Sequence, residues 1–494
     1  MGRNVVRGFL SIFSSDVGVL ILSISITPIL VRVLTSAEYG DYAFVMSVLS
    51  VTMIVINAGI FDGIRKYIAE QRPDADWNSN VFAYYMQVGL ALAFAAVVII
   101  LVVLQLGLVQ RFFSPEFEIY FYMLAALVVI RQLWAIGRGT LMGLGYEHIS
   151  EPTKMARWVV FALVGVPLAA IGWGVVGVLV GRIVARGVVA IAVFWFVSRY
   201  VSLGSITRRV PSDFPRRELL SYNSFSVVLI LLTSSLYHVD LILLRTLSGA
   251  QQTGYYNAAL IVAEFLWFVP TAMQTVLLQS TSEWWSENKI DTVTDVTSRA
   301  TRYVVLITTI MCLGIGALAE QFVSLYFGTE YLAAVAPLVL LLPGTLGFAV
   351  ARPIFAVGQG KGELRLLILA TGASATLNLV LNLLLIPRYG TVGAAVSTSI
   401  GYGSMLLFHI LSARRIGFDP ISDLRFGRIV ATSAVAAVPV YGLPLVLEGD
   451  VVELIVVPPV GFAVFLVAAV LFGAIDRSEV NELRQRLSTI LPVG

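Results

Sequence analysis

Four arginines stand inside long apolar runs: Arg131, Arg138, Arg182 and Arg186. A charge inside a membrane span is costly and marks a polar pathway unless it can reach the surface. Arg131 and Arg186 fall near the middle of their runs, and Arg182 and Arg186 are four residues apart, on one helix face. If the four converge, they line a positive, water-filled cavity. A guanidinium is a planar fork that donates two parallel hydrogen bonds, which suits a phosphate or pyrophosphate oxygen pair. Such a group joins sugar to lipid in a lipid-linked saccharide. The same cavity disfavours an organic cation. Arg138 is near a helix end and could instead snorkel to the surface, and Arg182 could sit closer to the outer face.

Acidic groups in the spans are fewer. Asp16 could pair with one of these arginines, or hold a proton or cation. The second half carries Asp240 near the outer end of its first helix and Glu264 at mid-span. Glu264 is the candidate for a proton- or sodium-linked carboxylate, with a structural pairing as its alternative. Asn378 and Asn382 share one helix face, where they could bridge helices or line a polar path. His238 is placed at the interface, and His148 and His409 read as packing or surface residues. Cys312 is the single cysteine and an inert packing residue. No His, Cys or carboxylate cluster has metal-ligand spacing, and no cofactor is called for beyond possible H+ or Na+ coupling. No Gly-x-x-x-x-Gly-Lys-(Ser/Thr) loop is present, so transport would be downhill or ion-driven.

The elements that must position these residues are membrane helices. The chain has 494 residues, 58% hydrophobic and 13% charged, against about 25% charged in soluble proteins. Its apolar runs reach the roughly 20 residues that span a bilayer. Fourteen spans are expected, at about 8–33, 40–62, 81–107, 117–143, 154–172, 174–197, 219–244, 253–278, 299–326, 331–356, 363–387, 391–413, 427–447 and 453–475. The first begins after a basic Met1–Arg7 stretch and is too long for a signal-peptide core. Pro167, Pro270, Pro337, Pro343 and Pro353 permit bending.

The spans repeat. Arg32-Val-Leu-Thr leads to Gly40-Asp-Tyr42, and Arg245-Thr-Leu-Ser leads to Gly254-Tyr-Tyr256. Gly143-Leu-Gly145-Tyr-Glu147 is answered by Gly358-Gln-Gly360-Lys-Gly-Glu363, and Gly174-Val-Val-Gly177 by Gly390-Thr-Val-Gly393. The expected organisation is an N-terminal lobe of six helices (1–197), a cytoplasmic linker (198–218), a second six-helix lobe (219–413), two further helices (414–475) and a tail (476–494). In the tail, Val480, Leu483, Leu487 and Ile490 have the spacing of an amphipathic surface helix. With the N-terminus inside, the inner connections hold 25 Lys and Arg, and the outer ones only Arg32, Arg111, Arg245 and Arg388. This bias puts both termini in the cytoplasm. A membrane chain of two similar halves binds its cargo near the midplane and works by alternating access.

The stretch Leu377-Asn378-Leu-Val-Leu-Asn382-Leu-Leu-Leu-Ile-Pro387-Arg-Tyr-Gly390-Thr-Val-Gly393 resembles the polysaccharide-biosynthesis flippases. These are O-antigen-type translocases of the multidrug/oligosaccharidyl-lipid/polysaccharide exporter superfamily. Leu34–Tyr42 and Leu247–Tyr256 resemble that family's first outer loop in each lobe. The resemblance implies transfer of a lipid-linked saccharide from the cytoplasmic to the outer leaflet, with cavity cations on the lipid phosphate. The carrier would be undecaprenyl phosphate in a bacterium or dolichyl phosphate in an archaeon, where the pathway could serve N-glycosylation of surface-layer glycoproteins. Implied partners are membrane lipids and the glycosyltransferases or oligosaccharyltransferase of the pathway; nothing calls for nucleic acid. Two rivals are a drug-type cation antiporter of the same superfamily and a membrane glycosyltransferase or polymerase. The first wants a carboxylate-rich cavity. The second wants a large outer loop that the short outer connections do not supply, so no enzyme activity is expected.

Overall fold

The computed structural model describes residues 5–57, 59–70, 72, 76–207, 210–211, 214–221, 224–479 and 481. Among them there is no strand. Lipid cannot satisfy backbone N–H and C=O groups, so a chain this apolar must satisfy them within helices. In order, the helices are α1 (Val5–Val33), α2 (Ser36–Asn57), α3 (Ile60–Ala69), α4 (Trp77–Gln105), α5 (Leu108–Phe112), α6 (Glu116–Gly143), α7 (Glu147–Ser150), α8 (Pro152–Leu168), α9 (Gly174–Val197) and α10 (Arg216–Ser221). There follow α11 (Ser224–Ser248), α12 (Ala250–Ala263), α13 (Phe268–Ser286), α14 (Ile290–Ala317), α15 (Ala319–Tyr326), α16 (Val335–Lys361), α17 (Leu364–Ile416), α18 (Phe426–Gly442) and α19 (Asp450–Leu471).

Among the described residues, twelve continuous segments are long and apolar enough to cross a membrane. Two of them, Glu147–Val197 and Leu364–Ile416, are 51 and 53 residues long and double back at a glycine. Counting each as two helices gives the fourteen expected. The turning glycines are Gly174 (φ 50°, ψ −133°) and Gly390 (φ 53°, ψ −127°). A side chain is disfavoured in that region, so glycine is required. These are the glycines that head the repeated Gly-x-x-Gly motif, and the second member is equally constrained. A Cβ on Gly177 would fall 2.8 Å from the backbone of Leu168 and Ala169; one on Gly393 would fall 2.3 Å from the Leu385 carbonyl. The middle pair repeats less strictly. The left-handed cap after α6 is Gly145 (φ 82°), whereas the cap after α16 is Gly362 (φ 84°), not Gly360. The turn is kept while its glycine shifts register.

The chain forms two compact units, Met1–Gly254 and Tyr255–Gly494. The packing boundary therefore falls after the linker expected at 198–218, because α11 packs against α2. In the first unit, α8 and α9 meet where a Cβ on Gly181 would stand 2.1 Å from Gly165 Cα. Small residues let two backbones approach this closely in a membrane. In the second unit, α16 and α17 meet likewise at Gly344 and Ser399, with the Gly344 N–H donating to Ser399 Oγ at 2.9 Å. The end of the second unit is fastened by charge. Arg302 of α14, fully buried, pairs with Asp423 at 3.2 Å and with Glu479. Arg425 pairs with Asp423 at 2.9 Å and Asp476 at 2.6 Å. Leu483, Leu487 and Ile490 of the expected tail helix, and Val480, lie outside the described residues.

Candidate functional site

The α8–α9 hairpin and α6 bring arginines together in the first unit. Arg131 and Arg138 are on α6, and Arg182 and Arg186 on α9. A fifth, Arg157, sits in α8. Arg157 is within electrostatic reach of Arg182, Arg131 and Arg138; Arg186 is within reach of Arg182, Arg157 and Arg131. Electrostatic reach thus links the four positions and Arg157.

The five are not equivalent. Arg138 lies against Glu151, donating from Nε at 2.9 Å and Nη2 at 2.7 Å to one carboxylate oxygen. Arg182 donates to the Tyr42 hydroxyl from Nε at 3.0 Å and Nη2 at 2.6 Å. Its guanidinium also lies over the rings of Phe161 at 3.9 Å and Trp158 at 4.8 Å. Such cation–π contacts hold a desolvated guanidinium in place. The other three keep open donors. Arg186 is 6% exposed, and its Nε and Nη1 have no partner in the protein. The Nε of Arg157 is equally unpaired, with the guanidinium 5.0 Å from the Trp134 ring. Arg131 has no hydrogen bond or ion pair among the described residues and lines a cavity of about 240 Å³. Asn57, Asp62, Trp134 and Arg138 line the same cavity. The amide of Gln132, fully buried beside Arg131, and Asn57 Oδ1 add further unpaired polar atoms.

Asp16 pairs with a cation, but not with an arginine: its partner is Lys154 of α8, at 2.7 Å. The carboxylate that reaches the cluster is Glu151, fully buried, between Arg138 and Lys154 (2.6 Å). Sequence reasoning missed it because it precedes Pro152 in what read as a connection. The clue was available, since an acid followed by proline at the first helical position is a helix-start pattern. His238 of α11 was expected at the interface; it lies within electrostatic reach of Arg131, and its Nδ1 is unpaired.

The remaining expected residues are elsewhere. Asp240 is fully buried in α11, its Oδ1 accepting the Leu241 N–H at 2.8 Å. Glu264, in the second unit, opens a 3-10 turn, Glu264–Trp267, that interrupts the Ala250–Ser286 span. Asn378 and Asn382 are buried there in α17, and the bridging alternative is the one adopted. Asn382 donates to Asn378 at 3.1 Å and Asn378 to Thr398 at 3.4 Å, across the Gly390 turn. Thr398 in turn receives the Tyr256 hydroxyl at 2.9 Å. Arg352 lies in α16 over Trp267 and Phe348 and donates to Gln274 at 3.0 Å. Cys312 is half-buried and free. His409 is fully buried and stacked on Phe355 at 5.3 Å. No group of metal-ligating side chains occurs among the described residues.

Comparison with known proteins adds five findings. The model of a family described as polysaccharide biosynthesis protein matches residues 29–336. An uncharacterized membrane protein of Methanocaldococcus jannaschii is 22% identical over 279 residues, 55% of this chain and 54% of that one, so the match spans about half the relative's length. The probable low-salt glycan biosynthesis flippase Agl15 of Haloferax volcanii is 22% identical over 407 residues, 80% of this chain and 82% of that one. Among solved structures, the lipid II flippase MurJ in an inward closed conformation matches with a TM-score of 0.74 at 14% identity, over 94% of this chain and 98% of that one. An inward-facing multidrug resistance MATE family transporter of the MOP superfamily matches at 0.64 and 19% identity, over 83% and 95%. These likenesses establish the fold that the resemblance implied.

Proposed function

The chain belongs to the polysaccharide biosynthesis protein family, and from that premise we infer that it is a flippase for a lipid-linked saccharide. The observation that carries the reading is the arginine cluster of the first unit, with open donors on Arg131, Arg157 and Arg186. Each arginine at membrane depth costs about 2.5–3.5 kcal/mol on insertion scales, so three cost about 8–10 kcal/mol. That is comparable to the whole stability of a domain. A cost of this size points to a use: an anionic group meets the cluster in transport. The likeness to the Haloferax flippase supports a glycan as cargo.

In this reading Arg131, Arg157 and Arg186 receive the phosphate or pyrophosphate at the sugar–lipid junction, with Arg138 and Arg182 in the wall. Asn378 and Asn382 stiffen the second unit rather than touch cargo. The protein is a multi-pass membrane protein of the cytoplasmic membrane, with both termini inside, and moves its cargo outward by alternating access. The carrier is a polyprenyl or dolichyl phosphate or pyrophosphate. The glycan goes to surface polysaccharide or to glycosylation of surface proteins, by way of the pathway's transferases. Glu264, Asp240 and Asp16 are the carboxylates to test for H+ or Na+ coupling. The protein performs no bond chemistry.

The test is the sidedness of lipid-linked saccharides in cells lacking the protein. Lectin labelling of intact and opened membranes, with mass spectrometry of the lipid pool, should reveal a complete lipid-linked glycan trapped on the cytoplasmic side. A pool that still faces outward would refute the reading and move weight to a drug-type exporter.

A further inference from the structure

We propose that Glu151 is an internal stand-in for the cargo's anionic group: it occupies Arg138 at rest and yields that arginine to the cargo phosphate. The inference rests on the flippase reading. Its basis is geometric. Glu151 is a fully buried carboxylate at the start of α8. It takes both Nε and Nη2 of Arg138 on one oxygen, while its other oxygen lies 2.6 Å from Lys154 Nζ. Arg138 is at the same time a wall of the cavity that Arg131 lines, its guanidinium 4.7 Å from the Phe61 ring. One arginine therefore faces two anion positions, one filled by the protein and one open.

The second cation makes the exchange workable. A buried carboxylate stripped of its only partner would be strongly penalised. Glu151 is not so exposed, because Lys154 remains beside it when Arg138 turns away. Lys154 also holds Asp16 of α1 at 2.7 Å. Asp16, Lys154, Glu151 and Arg138 thus form one alternating line of charge from α1 to the cavity wall. A phosphate arriving at Arg138 changes the charge balance at Lys154, and through it the hold on α1. The same competition limits affinity, as a flippase needs if it is to release what it binds.

The experiment uses the full chain in nanodiscs of a zwitterionic lipid, with geranylgeranyl phosphate as probe and uncharged geranylgeraniol as the tail-only control. Glu151→Gln removes the competing charge. Glu151→Asp keeps the charge but withdraws it by one methylene, and serves if the first variant does not assemble. Either should bind the phosphate probe at least about tenfold more tightly than the wild type, the worth of one charge-assisted hydrogen bond. The alcohol should be unaffected. In transport, KM and kcat should fall together, because release slows. Adding Arg138→Gln should abolish the gain. A merely structural Glu151 would lower thermal stability and leave affinity unchanged or weaker; that result in a folded variant overturns the inference. If the wild type fails to prefer the phosphate over the alcohol, the flippase reading falls, and the inference with it.

Discussion

Replacing Arg186 by methionine should make the protein more stable and less active. Arg186 is 6% exposed, and its Nε and Nη1 lack partners in the protein. A buried donor left unsatisfied costs about 1–3 kcal/mol, so two cost about 2–6 kcal/mol. Arg182, Arg157 and Arg131 add like-charge repulsion. Methionine keeps most of the length and apolar contact of the arginine stem without the charge. The low end of that range gives a gain of about 2 kcal/mol. For a unit of this size that corresponds to a rise in Tm of about 4 °C. The lost charge-assisted bond to the cargo is worth about 1.5–3 kcal/mol, or roughly 10–150-fold in affinity. The assay pairs thermal unfolding in nanodiscs with transport of a fluorescent lipid-linked saccharide in liposomes. A variant that loses both Tm and transport would show that Arg186 holds the helices together, and the reasoning from unpaired donors would fail.

Tyr42→Phe removes the acceptor of two bonds from Arg182 and should cost about 2–3 kcal/mol, while Tyr256→Phe, which loses one neutral bond to Thr398, should cost about 1 kcal/mol. Equal losses in denaturant titrations would contradict this ranking. Gly174→Ala and Gly390→Ala should each cost about 1–3 kcal/mol, because alanine cannot relax at their backbone angles; Gly107→Ala, left-handed but in open space, should cost about 1 kcal/mol. The Arg425 guanidinium, through its hydrogen bond, holds the Asp476 carboxyl below its ordinary 3.8. A depressed folded value means that the contact stabilises above pH 3.8 and is lost as pH falls through the lower, folded value. Protease nicking after α19 should therefore rise in the acid range below pH 3.8 and lose that pH dependence in Asp476→Asn; an unchanged profile would sink the assignment.

The membrane helices were legible because a bilayer demands long apolar runs, and nothing else in this sequence produces them. The hairpin turns were legible as repeated Gly-x-x-Gly, since only glycine takes their backbone angles. Arg131 and Arg186 were legible as costly charges at mid-span. Arg157, Arg302 and Arg352 were not, because hydropathy locates a helix end only to within several residues, and an arginine there reads as a surface charge. Glu151 was hidden for the same reason, and its absence sent the search for a counter-charge to Asp16. The pairing of Asn378 with Thr398 depends on a contact across a turn that sequence spacing cannot supply.

The repeated tyrosine carries a consequence for how such a chain changes its cargo. Tyr42 and Tyr256 are 214 residues apart, and their partners Arg182 and Thr398 are 216 apart. In the first unit the phenol accepts from a cation; in the second it donates to a neutral hydroxyl. A phenol can do either without moving, so the position opposite it can gain or lose a full positive charge while the scaffold residue stays the same. Charge at that depth becomes a one-residue variable on a fixed frame. Descendants of one duplicated six-helix ancestor could then diverge from anion to neutral or cationic cargo by substitution opposite the tyrosine, with the helices and their turns left intact.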